Sequence, residues 1–260
     1  MSIGNQHPLI LYEDNHILAA VKEPVILSQE DISGKADMVN LIKDYLAVSR
    51  SKPGNVWLGL LHRLDQPASG VMVFALTSKA AGRMSKAFRE NLIGKYYLAL
   101  VHGIPDQPAA TLTDYISYEK REGRYFITSK EEGRPATLEY RVVLTFKTDK
   151  TVLSLLLIRL ITGRPHQIRV QFSGRQHPLL GDRRYGPDSL LDQKVPTLAL
   201  HSYMLDFLHP VKRNRMVVKA PLFLDGKAIN PSFATIRDAL DYGKIDSYID
   251  EMSREVSKLT

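Results

Sequence analysis

A chain of 260 residues without one cysteine carries no disulfide, no thiolate nucleophile and no cysteine-ligated zinc, and it is long enough to bury a sizeable core. Lys and Arg outnumber Asp and Glu by 35 to 28, for a formal net charge of +7. That excess favours polyanionic partners but serves solubility equally well, so charge alone assigns no function. The amino end, "MSIGNQHPLILYEDNH", lacks a basic region followed by an apolar stretch of secretory length. No segment reaches the roughly 20 apolar residues that cross a bilayer, and the expected compartment is the cytoplasm.

In chain order, "LILYEDNHILAAVKEP" shows two short apolar runs around a polar turn and ends at Pro24, which predicts a hairpin. "ADMVNLIKDYLAV" puts Met38, Val39, Leu41, Ile42, Tyr45 and Leu46 near one helical face. "VWLGLLH" and "GVMVFAL" read as strands on either side of the loop "HRLDQPASG". "SKAAGRMSKAFREN" predicts an amphipathic helix capped by Ser78, with Lys79, Arg83, Lys86 and Arg89 giving it a cationic outer face. "KYYLALVHG" is a strand closed by Gly103, and residues 104–134, rich in charge, Pro and Gly, form a hairpin excursion.

"ATLEYRVVLTF" and "TVLSLLLIRLI" then read as a long antiparallel pair. "TGRPHQIRVQFSG" has helical character, with Thr162 as cap, Pro165 in the first turn and Gly174 at the end. "LALHSYMLDFLHP" and "RMVVKAP" are strands again, and the last thirty residues are helical. Strands and helices do not alternate strictly. The expected architecture is therefore α+β: a mixed, mostly antiparallel sheet with flanking helices and loops, in one domain over residues 1–235, with a helical tail over 236–260 packed on it or extending from it.

The chemistry starts at Asp65, an acid in a loop held by two strands, where functional groups often sit. By itself such a carboxylate is most often a structural cap or a surface ion pair. The segment "TGRPHQIRVQFSG" crowds Arg164, His166, Gln167 and Arg169 at a helix amino end, which itself favours anions. A helical period that turns Ile168 and Phe172 inward leaves Arg169 at the margin, where it would reach a buried acid such as Asp65. An arginine so placed would keep a carboxylate nucleophile ionised and oriented.

"HRLDQPASGVMVFAL", "GKYYLALVHG", "ITGRPHQIRVQFSGRQHPLLGDRRYG" and "LHSYMLDFLHP" resemble, in order and spacing, successive motifs of the RluA-type pseudouridine synthases, over roughly residues 9 to 222. The resemblance implies a pseudouridine synthase fold and the isomerisation of uridine in RNA, ribosomal or transfer, without metal or cofactor. It places Asp65 at the family's essential aspartate and Arg63 at an arginine that fills the gap left by the flipped uridine. Tyr97 falls at the active-site tyrosine, Arg169 at the arginine that pairs with the aspartate, and Ile168 at the apolar wall of the uracil pocket. His62 favours this family over a sister group that usually has Gly there.

The chain departs from the family pattern at Ala68, where Thr is more usual, and at "VKEP", where Asn-Lys-Pro is expected. It begins almost directly with the catalytic domain, so RNA is expected to be gripped by the catalytic body. The candidate grips are Lys79, Arg83, Lys86 and Arg89 on the basic helix, and Arg175, Arg183 and Arg184 in "GRQHPLLGDRRYG". Two other readings have distinct marks in the sequence. A silent RNA-binding module would have lost Asp65, Tyr97 or Arg169, and all are present. A glycosidase needs two carboxylates flanking the scissile bond, for which Asp182 is a distant second acid.

Overall fold

The computed structural model describes residues 7–51, 56–120, 122–148, 151–187 and 190–257. In chain order its elements are β1 (Ile10–Glu13), β2 (Ile17–Lys22), α1 (Met38–Ser49), β3 (Gly59–Leu60), β4 (Ser69–Ala75), α2 (Ser78–Arg89), β5 (Gly94–His102), β6 (Ala109–Glu119), β7 (Arg124–Thr128), β8 (Arg134–Lys147) and β9 (Val152–Leu160). There follow α3 (Gln167–Ser173), α4 (Leu190–Lys194), β10 (Leu200–Leu208), β11 (Arg215–Lys219), β12 (Phe223–Leu224), β13 (Lys227–Ala228), a 3-10 segment (Pro231–Ala239) and α5 (Tyr242–Ser257). They fall into two compact units, one made of the residues up to Gly94 with Ser202–Pro221, the other of Lys95–His201 with the residues from Leu222 onward.

In the first unit β2 pairs antiparallel with β1 and β4, and β10 with β11. Every residue of β2 and β4 is buried, which is why their sequences are near-continuous apolar runs rather than alternating ones. Gly70 opens β4 at φ +117°, and a Cβ there would lie 2.2 Å from the Ser202 carbonyl oxygen, so only glycine fits. Helix α1 starts where the Asp37 carboxylate accepts the Val39 and Asn40 N–H groups, and it buries Met38, Ile42 and Leu46 along one stripe. Asp14 does similar work in the β1–β2 turn, accepting from the N–H groups of His16 and Ile17.

In the second unit β9 pairs with β5 and β8, and β6 with β8 and β7, all antiparallel. Strand β8 alternates, burying Ala136, Leu138 and Tyr140 on one face. Helix α5 buries Ile245, Ile249 and Met252 and is tied down by Tyr96, whose hydroxyl lies 2.7 Å from Ser253 Oγ, and by Arg159, which donates to the Met252 carbonyl. Among the described residues no helix is long and apolar enough to cross a membrane.

Several local expectations shift. Of "VWLGLLH" only Gly59–Leu60 is a strand, and a two-strand ribbon that the sequence did not announce, β12–β13, precedes the last thirty residues. Helix α2 is capped by Thr77, not Ser78, the Thr hydroxyl accepting the Ala80 N–H. Helix α3 begins only at Gln167, so neither Thr162 nor Pro165 belongs to it, whereas Gly174 does end it.

Candidate active site

The loop carrying Asp65 is clamped through its backbone by the segment that follows β2. Ser28 Oγ donates to the Leu64 carbonyl (2.9 Å) and accepts the Leu64 N–H (3.0 Å). Val25 N–H donates to the Gln66 carbonyl (2.9 Å), and the Gln66 amide returns a bond to the Val25 carbonyl. Lys22 donates to the carbonyls of Gln66 (2.9 Å) and Ala68 (2.7 Å). A turn bond from Ala68 N–H to the Asp65 carbonyl completes the set. Leu64, Gln66 and Ala68 are thus fixed one after another, and Asp65 stands half-buried between fixed neighbours. Val25 adopts φ +75°, an unfavourable conformation for a β-branched residue that its two bonds to Gln66 hold in place.

Lys22 itself is fully buried at the end of β2; burial pushes its ammonium down to about 7, against the pull of the Asp65 charge. Ala68, where a hydroxyl was more usual, is 1% exposed. Arg63 projects to solvent. His62 has a structural engagement: its Nε2 accepts the Val73 N–H (3.0 Å), which fixes its tautomer, and its ring stacks on Phe88 with centroids 4.7 Å apart. On α2, Lys79, Lys86 and Arg89 are exposed, whereas Arg83 donates to the Pro210 carbonyl (2.6 Å).

The remaining predicted side chains belong to the second unit. Tyr97 sits on β5 opposite Ile158, 8% exposed. Two residues earlier Lys95 is buried, and burial, followed by the charge of Arg164, pushes its ammonium down to about 8. The loop between β9 and α3 is wired by Gln167. Its side-chain oxygen accepts from the Thr162 hydroxyl (2.8 Å) and Arg164 N–H (3.0 Å), and its amide donates to the Thr137 carbonyl (3.0 Å). Gln167 is 2% exposed, so its polar groups organise the loop. Arg164 donates through Nε to the Pro135 carbonyl.

His166 precedes α3 at φ +54°, with Nδ1 2.6 Å from the Tyr185 hydroxyl. The same hydroxyl accepts the Tyr125 N–H. Ile168 and Arg169 are both buried in α3.

Asp182 is the residue the sequence reading undervalued. Arg169 donates to it through Nε and Nη2, both at 2.8 Å, in a bidentate pair whose side chains are 7% and 0% exposed. The same carboxylate accepts the N–H groups of Arg184 and Tyr185, and the Arg169 guanidinium lies 5.0 Å from the centre of the Tyr185 ring. The available signal was "GDRRYG", an acid followed at two and three residues by N–H groups it can cap. Among the described residues no cluster of three or more His, Asp or Glu could hold a metal.

Comparison with solved structures gives the class. Human RNA Pseudouridylate Synthase Domain Containing 1 superposes with a TM-score of 0.69 at 27% identity, covering 86% of this chain and 88% of its own. Human RNA Pseudouridylate Synthase Domain Containing 4 shares the fold, with a TM-score of 0.69 at 22% identity over 88% of this chain and 93% of its own. The architecture is that of a pseudouridine synthase, α+β with a mixed, mostly antiparallel sheet.

Residues 29–174 match the RNA pseudouridylate synthase family. The chain is 35% identical over 239 residues to the Dual-specificity RNA pseudouridine synthase RluA of Salmonella typhimurium, covering 85% of this chain and 99% of that one. It is 31% identical over 222 residues to the Ribosomal large subunit pseudouridine synthase C of Buchnera aphidicola, covering 83% and 68%. This chain therefore belongs to the RNA pseudouridine synthase family, with RluA-like members as relatives, and it is an RNA pseudouridine isomerase.

Proposed function

We propose that the enzyme isomerises uridines of structured ribosomal or transfer RNA in the cytoplasm, with Asp65 as nucleophile. The observation that carries this is the clamp at Leu64, Gln66 and Ala68, which fixes the backbone around one half-buried carboxylate. The printed names of the relatives, one of dual specificity and one acting on the large ribosomal subunit, support the substrate class.

In the reaction the bond between uracil N1 and ribose C1′ breaks, the base turns, and a C5–C1′ bond forms; C5 loses a proton to solvent and N1 gains one. Asp65 attacks either C6 of the base or C1′, or first removes a ribose proton. In this scheme Tyr97 is the residue that stacks on the detached base, Ile168 is an apolar residue of the uracil pocket, and Arg169 is a cation held in place by Asp182. Arg63, exposed at the loop surface, fills the gap left by the flipped nucleotide, which offsets part of the few kcal/mol of unstacking. Lys79, Lys86 and Arg89 contact phosphates.

The test is tritium release from RNA labelled at uracil C5, ribosomal and transfer RNA assayed separately, with Asp65→Asn run beside the wild type. Release by the wild type and a fall of about 10⁴-fold or more in the variant, with RNA binding kept, is the expected result. Release by Asp65→Asn at the wild-type rate refutes the nucleophile. Release from neither RNA refutes the substrate class.

A further inference from the structure

We propose that the cavity between β7 and α3 binds one unpaired nucleobase of the substrate RNA near the target uridine, a base that carries an amino group rather than a uracil. The inference rests on the reading of structured RNA as substrate and of Arg169 as part of the reacting site. The cavity measures about 530 Å³, a size that suits a small ligand, and it opens to solvent. Tyr125 and Ile127 line it from the strand, Val170, Ser173 and Gly174 from the helix, and Tyr185 adds a further wall. Those three helix positions stand at i, i+3 and i+4 and so share one face of α3, whereas Ile168 and Phe172 share another. The cavity is therefore separate from the uracil pocket to which Ile168 is assigned.

Gly174 keeps this space open. It ends α3 at φ −62° and ψ −14°, ordinary right-handed values for which no glycine is needed. A Cβ there would lie 2.7 Å from Ile127 Cδ1, so a larger residue would narrow the cavity. The strand wall is held in place from the other side. Arg124 donates to the Arg184 carbonyl (2.7 Å), Arg184 donates to the Gly123 carbonyl (3.1 Å), and the Tyr125 N–H donates to the Tyr185 hydroxyl (3.1 Å). On the same hairpin Tyr118, with its ring centre 4.8 Å from that of Tyr125, is exposed, as are Phe126 and Ile127. Such a grouped aromatic and apolar surface marks a place of contact.

The chemistry of the walls selects the occupant. Aromatic and aliphatic side chains take the faces of a base, the way unstacked bases of RNA loops are held. Arg124 lines the cavity and Arg184 is exposed beside it, two cations placed for a phosphate of the same nucleotide. The carboxylates of Glu119 and Glu122 line it too, Glu122 being exposed with Arg124 Nη1 at 3.8 Å. A carboxylate accepts and does not donate, so it favours the amino group of adenine, guanine or cytosine and disfavours the carbonyl oxygens of uracil. The Tyr185 ring ties the cavity to Arg169, whose guanidinium lies 5.0 Å from the ring centre, with that of Arg124 at 5.5 Å. One aromatic ring thus separates the bound nucleotide from Arg169.

The experiment starts from the RNA on which the wild type releases tritium. In a synthetic stem-loop around the target, each nucleotide within about five of it is replaced in turn by an abasic ribose. Wild type, Gly174→Gln, which fills the cavity, and Ile127→Ala, which removes one wall, are compared by RNA titration, tritium release and thermal melting. One abasic position is expected to weaken wild-type binding about 10-fold, the scale of one base held against aromatic side chains. Gly174→Gln should bind the intact RNA about 10-fold more weakly and lose no more than about twofold further on that abasic RNA. Its single-turnover rate at saturating RNA should stay within about threefold of wild type. The base so identified should be adenine, guanine or cytosine.

Losses that add fully between Gly174→Gln and every abasic position overturn the proposal, as does a wild type that no abasic position weakens. A uracil at the sensitive position overturns the role given to the carboxylates. If Gly174→Gln does not fold, Ile127→Ala, altered at a side chain already exposed, decides by the same comparison. Failure of the two readings is distinguishable. A wild type that releases tritium from neither ribosomal nor transfer RNA overturns the substrate class and the base site together, whereas release by the wild type beside fully additive losses overturns the base site alone.

Discussion

Replacing Asp182 by Asn keeps the size of the side chain and one oxygen for the Arg184 and Tyr185 N–H groups, but removes the charge that meets Arg169. Both nitrogens of the fork lie 2.8 Å from the carboxylate, and the two side chains are 7% and 0% exposed, so water screens the pair little. Breaking such a pair by changing one partner costs about 3 to 5 kcal/mol, because a desolvated guanidinium is left with a poorer acceptor. Taking the lower figure, and about 2 to 4 °C per kcal/mol for a chain of this size, the melting temperature should fall by roughly 6 to 12 °C. Urea unfolding should show a lower midpoint at unchanged slope. The double variant Arg169→Met/Asp182→Asn should be less damaged than the sum of the single changes, since the uncompensated charge is gone. A loss below about 1 kcal/mol in Asp182→Asn, together with strict additivity in the cycle, would refute the structural role of the pair.

Gly70→Ala should cost about 3 kcal/mol or more, or prevent folding, because it adds a methyl at positive φ against the Ser202 backbone; a wild-type denaturation midpoint would contradict this. Removing Lys79, Lys86 and Arg89 together should reduce the slope of log affinity against log salt by roughly one per true phosphate contact, and an unchanged slope would mark the helix as merely solvated. Arg83→Ala should instead cost about 1 to 2 kcal/mol of stability, since that guanidinium serves the Pro210 carbonyl. For Asp14, burial raises its proton affinity, but the N–H groups of Ile17 and His16, with Lys212 and Tyr12, outweigh it and hold the carboxyl well below its ordinary value near 3.8. A depressed carboxylate stabilises the fold above the unfolded value, and the contribution fades as the pH falls toward the folded one. Asp14→Asn should therefore show a flatter melting-temperature profile than wild type below about pH 4; parallel profiles would count against it.

What the sequence disclosed follows from how local each signal is. The runs in β2, β4, β5 and β9 are apolar enough to announce buried strands, and the stripes of α1 and α2 announce their inner faces. The α2 cap moved by one residue because Thr77 and Ser78 both carry a capping hydroxyl and only the backbone dihedrals choose between them. Thr162 looked like a cap because it stands before Arg-Pro at a helix entrance. In the structure its hydroxyl instead donates to the Gln167 side chain, and the turn into α3 is made by His166 at positive φ. Lys22 was illegible for a different reason. A lysine at the end of an apolar strand reads as the residue that returns the chain to solvent, and the carbonyls it serves lie on a loop 44 and 46 residues away.

The two acids that the sequence left in competition are separated by what surrounds them. A glycosidase needs both carboxylates free to reach opposite sides of one bond. Asp182 is 1% exposed, its oxygens occupied by the Arg169 fork and by two backbone N–H groups, so reaching a sugar would require it to abandon four charge-assisted bonds inside the protein. Asp65 is half-buried on a loop whose neighbouring peptides take up the clamp of Lys22, Val25 and Ser28. One acid is spent on holding an arginine in place, and the other is presented on a rigid frame. That division suits a reaction in which a single carboxylate makes and releases one bond while the base is turned, and it takes Asp182 out of the role that a glycosidase's second acid would require.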